Sequence, residues 1–307
     1  MALPASYEQS VILHETRFTP YFAAKGYIWD TYVNTDDLCG VFVNPIMACP
    51  AELLQKRDCP FFKRRSLFTP YADELRRTDG CAAGELYRYV KAHTEFPVDL
   101  LLASLLQTQP MAALAKNLHW NYVIAEPAAE VPDLAALGLR LLRYTLPAAD
   151  PVTDWYNKKA SADADALLGR AAQLFEKKPL LGVLSPALPL WQGCAAARRT
   201  QWQRDAWTLA EKAAVPVGSD PLPAPNCGWL LVREASFLDG IPPCTTQRDA
   251  WQLALTAQAA GYYAAAFETA AQAAARADVL DVYEADAARP AAVAKHLGRL
   301  IKHKLQK

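Results

Sequence analysis

The sequence predicts an α/β layered fold with a helical segment in its first half, and three observations carry that expectation. Short apolar runs of strand length at residues 180–184, 228–232 and 261–267 alternate with stretches of helical periodicity at 161–177, 202–212 and 247–259, the order that builds a sheet covered by helices. Between residues 71 and 122 the apolar side chains recur three and four positions apart, as on one face of a helix. With 307 residues, 52% of them hydrophobic and 21% charged, the chain is long enough to bury a large core without covalent staples.

Taken in order, residues 7–25 predict a helix in which Val11, Phe18 and Phe22 share a face, with Pro20 inside it and Gly26 at its end. Residues 26–33 are aromatic and β-branched at strand length, and predict a strand. A short helix over 51–56 leads into an extended segment over 59–68. Asp79 is placed to cap a helix over 81–93 carrying Leu86, Tyr89 and Val90, and Pro97 to open another with Val98, Leu101, Leu102, Leu105 and Leu106 on one face. The Ala-, Glu- and Pro-rich run at 125–132 reads as a linker, which gives domains of 1–125 and 126–307. Beyond it, residues 134–144 predict a helix or a strand. After Pro290 comes an amphipathic helix with Val293, Leu297, Leu300, Ile301 and Leu305 on one face and Lys295, Arg299, Lys302, Lys304 and Lys307 as cations. Such a helix either docks on its own domain or lies on an anionic membrane surface.

Thirty-two bases balance 32 acids, leaving no general field for nucleic acid, so a nucleic-acid partner is not expected. The seven cysteines are scattered without a C-x-x-C pair, which argues for reduced thiols and against a zinc ribbon. No basic start followed by an apolar run opens the chain, and the longest uncharged stretch is broken by Pro186 and Pro189. A cytoplasmic location is the expectation.

Few motifs carry chemistry. Asp163-Ala-Asp165 has the D-x-D form whose carboxylates hold a divalent cation, Mg or Mn, together with a nucleotide diphosphate. It also stands where a helix begins, and acids there are favoured by the helix dipole. The five histidines show no metal-binding spacing; His119 is either an acid or base or a structural residue. There is no glycine-rich phosphate loop and no nucleophile elbow. Eight tryptophans serve either as core or as stacking platforms for sugar rings. In the basic run Lys63-Arg64-Arg65, flanked by phenylalanines, alternation along an extended segment predicts a partly buried Arg64 paired with a carboxylate.

Several collinear stretches resemble the rhamnan synthesis protein F family of bacterial surface-polysaccharide assembly. They are Tyr21-Phe-Ala-Ala-Lys-Gly-Tyr-Ile-Trp-Asp-Thr-Tyr-Val33, Asn44-Pro45, Cys59-Pro-Phe-Phe-Lys-Arg-Arg-Ser66 and Ala112-Ala-Leu-Ala-Lys-Asn-Leu-His-Trp-Asn-Tyr-Val123. Leu174-Phe-Glu-Lys-Lys-Pro-Leu-Leu-Gly-Val-Leu-Ser-Pro186 and Ala257-Gln-Ala-Ala-Gly-Tyr-Tyr263 follow in the same order. The resemblance implies a glycosyltransferase-like α/β fold, with residues 1–125 as the remnant of a transferase domain plus a helical segment and 126–307 as a shortened glycosyltransferase-like domain. It implies rhamnose-containing or O-antigen products, a nucleotide-sugar donor and a lipid-linked glycan acceptor. Other assembly proteins would be partners, at the cytoplasmic face of the plasma membrane.

On that resemblance, Lys158 and Lys159 would neutralise the donor diphosphate, Trp229 would stack on a sugar, Arg233 would pair with phosphate, and Asp163 and Asp165 would hold the metal. No catalytic residue is assigned. The family's Asn-Arg-Gly-x-Asp segment and the histidine of its aromatic-x-His-x-Lys-Lys segment have no counterpart here. Two functions therefore stand side by side: sugar transfer, or a non-catalytic binding or scaffold role in the same machinery.

Overall fold

The structure is a computed structural model that describes residues 5–38, 44–69, 80–124, 130–146, 154, 158, 164–186, 208–216 and 227–274. The chain divides into two compact units, Met1–Lys63 and Arg64–Lys307.

In the first unit α1 (Tyr7–Ser10) runs through a π-helical turn at Val11–Glu15 into α2 (Thr16–Ala23). The helix expected over 7–25 is therefore present, with Pro20 inside α2 and Gly26 beyond its end at a φ of 82°, the left-handed conformation that glycine takes without strain. The strand expected over 26–33 is not formed. The segment pairs with no strand among the described residues, and the Ile28 side chain is 100% exposed, with Trp29 and Tyr32 also exposed. Aromatic composition marks a half-buried surface only where a partner strand covers it. Asn44 caps α3 (Pro45–Ala48), its side chain accepting from the Ile46 N–H at 3.3 Å, and Pro45 takes the first helical position. Pro50 likewise opens α4 (Pro50–Lys56). Just beyond α4 the Arg57 guanidinium grips the Asp37 carboxylate with two bonds of 2.6 Å and donates to the Asn34 carbonyl at 2.8 Å.

The second unit opens with a 3-10 turn at Arg64–Leu67. Arg64 is exposed and has no ion pair among the described residues, which overturns the partly buried pair expected for it. The tight turn breaks the alternation of an extended segment and buries Ser66 and Leu67 instead.

Among the described residues three helices follow: α5 (Ala82–His93), α6 (Val98–Thr108) and α7 (Met111–Asn117). Asn117, fully buried, holds the chain before them by donating to the Leu67 and Thr69 carbonyls at 3.3 and 2.6 Å.

The sheet contains β1 (Tyr122–Ile124), β2 (Leu139–Arg143), β3 (Leu181–Pro186), β4 (Trp229–Arg233) and β5 (Tyr263–Glu268), in the order β1-β5-β3-β4-β2. β1, β5 and β3 run parallel to one another, while β4 lies antiparallel between β3 and β2. The α/β class expected from the sequence is thus observed. The helical segment expected to reach 122 ends before β1, and residues on both sides of 125 contribute strands to one sheet.

Every residue of β3 and β5 is buried, so both faces of the central sheet are covered. α8 (Ala164–Lys177) packs on β3 and β4, and α9 (Gln247–Ala259) on β3 and β5. Gly182 lets α9 approach: a Cβ there would meet the Cβ of Tyr262 at 2.7 Å and of Ala257 at 3.2 Å. Gly261, at a φ of 85°, turns the chain after α9 against the Ala103 carbonyl of α6. From α9 the buried Gln258 donates to the Leu106 and Gln109 carbonyls at 3.0 and 3.2 Å, closing the carboxyl end of α6. The basic helix expected after residue 290 lies outside the described residues, as do Asp79 and most of the 125–132 run.

Candidate functional site

The two ends of the parallel strands present different chemistry. At the carboxyl end, where open α/β sheets place their ligands, β1, β3 and β5 finish at Ile124, Pro186 and Glu268. The Glu268 carboxylate is buried and accepts a hydrogen bond from the Tyr122 hydroxyl across the β1–β5 pair. Cys227, also buried, donates its thiol to the Pro186 carbonyl. Beside it the Tyr144 hydroxyl is pushed well above its ordinary pKa, first by burial and then by Cys227.

At the amino end, a cavity of about 100 Å³ is lined by Tyr87, Trp120, Lys177, Lys178, Leu180 and Tyr263, with Pro179. Its aromatic wall is a continuous stack. The Trp120 ring lies nearly parallel to Tyr263 with centroids 4.7 Å apart and meets Tyr87 edge-on at 5.3 Å. Each ring arrives from a different element: Tyr87 from α5, Trp120 from the turn after α7, and Tyr263 from the first position of β5.

Tyr87 is fixed by its own hydroxyl, which donates to Asp99 Oδ1 at 2.9 Å and accepts from Lys91 Nζ at 3.0 Å; Lys91 also pairs with Asp99 at 2.7 Å. That acid is thereby neutralised. The Tyr263 hydroxyl is buried and has no hydrogen-bond partner among the described residues. Burial raises its pKa, the Tyr87 hydroxyl acting in the same direction and Arg233 in the opposite one. Burial also lowers the pKa of Lys178, the desolvated ammonium being the disfavoured form.

Of the positions expected to form a donor site, the structure describes the side chains of Trp229, Arg233 and Lys158. Trp229 is 0% exposed, packed edge-on against Phe267 at 5.9 Å, and its indole has no free face for a sugar. Arg233 spends its guanidinium on backbone: Nη2 donates to the carbonyls of Phe175 and Lys178 at 2.7 and 3.3 Å, and Nε to that of Leu181 at 3.0 Å. Lys158 is exposed and paired with Asp154, one helical turn away, at 2.7 Å. Lys159 and Asp163 fall outside the described residues, as does the side chain of Asp165. Among the described residues no three His, Cys, Asp or Glu side chains gather as metal ligands. His119 is exposed in the turn after α7, at a φ of 54°.

Tyr87, Lys178, Trp120 and Tyr263 were not read from the sequence as a site. The signal was there for three of them, since Lys178, Trp120 and Tyr263 lie in stretches that carry the family resemblance.

A five-stranded mixed sheet clothed in helices, with an aromatic cavity at one end and a buried carboxylate at the other, defines the second unit as an α/β protein. Residues 1–135 match the model of the rhamnan synthesis protein F family, and over that stretch the resemblance is borne out. Rhamnan synthesis, the building of a cell-surface polysaccharide, is the process that this family name states. No curated protein and no solved structure matches the chain. Among the described residues no helix is long and apolar enough to cross a membrane.

Proposed function

We propose that the chain is a glycosyltransferase-related protein of cell-surface, rhamnose-containing polysaccharide biosynthesis, and that it acts there as a binding or scaffold module. The process rests on the family match over residues 1–135. The non-catalytic role is supported by one observation: Trp229 and Arg233, the two side chains best suited to a sugar and a phosphate, are consumed by the core and by a helix end. Lipid-linked glycan and other assembly proteins are its proposed partners, at the inner face of the plasma membrane, with the basic helix after residue 290 as the proposed membrane contact.

A second reading, transfer of a sugar from a nucleotide-sugar donor, is favoured by Glu268, a buried carboxylate at the carboxyl end of parallel strands. Mg or Mn bound by Asp163 and Asp165 would accompany the donor in that reading. Two measurements test these proposals. Deleting the coding sequence is expected to shorten or deplete the rhamnose-containing surface glycan; an unchanged glycan would overturn the process. Calorimetry and donor hydrolysis with dTDP-rhamnose and UDP-sugars, with and without Mg²⁺ or Mn²⁺, separate the roles. The binding-module reading expects no hydrolysis, and metal-dependent turnover would replace it with transfer.

A further inference from the structure

We propose that the cavity between Tyr87, Trp120, Lys178 and Tyr263 is a binding site for a phosphoryl group, held by the Lys178 ammonium and the Tyr263 hydroxyl against the Trp120 ring. The proposal is independent of the role assigned above, and its failure would leave that role standing.

Two side chains without a polar partner among the described residues line this cavity. A tyrosine hydroxyl shut away from water without a partner carries the full cost of its desolvation, and Tyr263 is 1% exposed. Lys178 is partly desolvated, and no carboxylate among the described residues pairs with it; such a charge calls for a counter-charge. One ligand that accepts hydrogen bonds and carries negative charge meets both. A water molecule or a neutral hydroxyl would satisfy Tyr263 and leave the ammonium unpaired.

The surrounding charges agree. Lys177 also lines the cavity. Asp99, which accepts from the Tyr87 hydroxyl of the cavity wall, is itself paired with Lys91. Carbonyls at the carboxyl end of α8, which would repel an anion, are turned to Arg233 at Phe175 and Lys178. The space of about 100 Å³ holds a few water molecules or one tetrahedral oxyanion, and falls well short of the roughly 300 Å³ at which pockets begin to enclose whole organic ligands. The ligand is therefore a phosphate ion or the phosphate end of a larger molecule.

The test is binding of inorganic phosphate to the full chain, followed by calorimetry and by thermal stability in phosphate-free buffer. Wild type is expected to bind saturably and to gain stability. Lys178→Met is expected to weaken binding about tenfold or more, the loss of a charge-assisted bond, and Tyr263→Phe severalfold. Absence of binding in wild type would overturn the site, as would equal binding by both folded variants, which would mean an adventitious ion only. Three arms name the source of the phosphate: the ion alone, a hexose 1-phosphate, and vesicles of phosphatidic acid against phosphatidylcholine. Tightest binding in any one arm, lost in Lys178→Met, supports the site and assigns it to free ion, soluble phosphomonoester or lipid headgroup.

Discussion

Arg233 Nη2 donates to the Phe175 carbonyl at 2.7 Å, so a side chain at the end of β4 closes the carboxyl end of α8. The same guanidinium reaches the Lys178 and Leu181 carbonyls and lies 5.4 Å from the Phe175 ring. It ties the helix, the turn after it and the start of β3 into one rigid corner. A fork of fixed donors can serve three carbonyls at once; an ammonium cannot.

The expected consequence is that Arg233→Met lowers unfolding stability by about 1.5–3 kcal/mol, the usual worth of hydrogen bonds from a charged donor. Arg233→Lys should recover only part of that loss. Urea unfolding of the three proteins measures it. Equal stability of all three would remove the corner from the account and return Arg233 to the pool of ligand-binding cations.

How much of this was legible in the sequence depends on whether the cause was local. α9 was readable to its ends because both its periodicity and its Thr246-x-x-Asp249 cap are written in adjacent residues. β3 and β5 were readable because fully buried strands are short apolar runs bounded by breakers, here Pro179 and Gly261. β1, Tyr122-Val-Ile124, is apolar but only three residues long, too short to show a period, and the helical stretch expected over 71–122 overlaps its first residue. Residues 26–33 carry the composition of a strand, but pairing is a property of the partner, which composition does not report. The cavity fails for the same reason: Tyr87 and Tyr263 meet Trp120 only after three separate elements have packed. Whether an aromatic such as Trp229 faces a ligand or the core is likewise decided by packing alone.

Gly182 is expected to tolerate no side chain. A Cβ would stand 2.7 Å from the Tyr262 Cβ, and that neighbour is joined directly to the backbone of the turn entering β5. Gly182→Ala should therefore cost about 1–3 kcal/mol, the usual penalty for overpacking a closed core. A change of under half a kcal/mol in the denaturation midpoint analysis would mean that α9 does not sit this close to β3.

The cap of α9 gives stability a dependence on acid. Asp249 Oδ2 accepts from the N–H groups of Thr245 and Thr246 at 3.0 and 2.8 Å and from the Thr245 hydroxyl at 3.0 Å, while Thr246 Oγ1 accepts from the Asp249 N–H at 3.2 Å. The Thr245 N–H is the largest cause holding the carboxyl below its ordinary 3.8. A depressed folded-state pKa contributes stability that is complete above the unfolded value and fades as pH falls through the lower one. Asp249→Asn should thus lower stability at pH 7 by about 0.5–2 kcal/mol, in the range of lost caps, and the gap from wild type should narrow below about pH 4. Parallel curves for the two proteins from pH 6 to pH 2.5 would assign the acid sensitivity elsewhere.

Lys178 gives the opposite test, at the alkaline end and without ligand. Its pKa is lowered by burial from 10.5, so in phosphate-free buffer near neutrality the folded state carries a partly desolvated ammonium that the unfolded chain leaves in water. The sign follows from linkage: the unfolded state binds the proton more tightly, so the group weakens the fold at neutral pH. That penalty lifts as pH rises through the folded-state pKa toward the unfolded value of 10.5. Lys178→Met keeps the apolar stem and removes the charge, so it should unfold at higher urea than wild type at pH 7, with the difference shrinking by pH 10. Adding phosphate at pH 7 should also shrink it, because the ligand supplies the missing counter-charge to wild type alone. A variant less stable than wild type at pH 7 would show that the ammonium is already satisfied and that the cavity has no need of an anion.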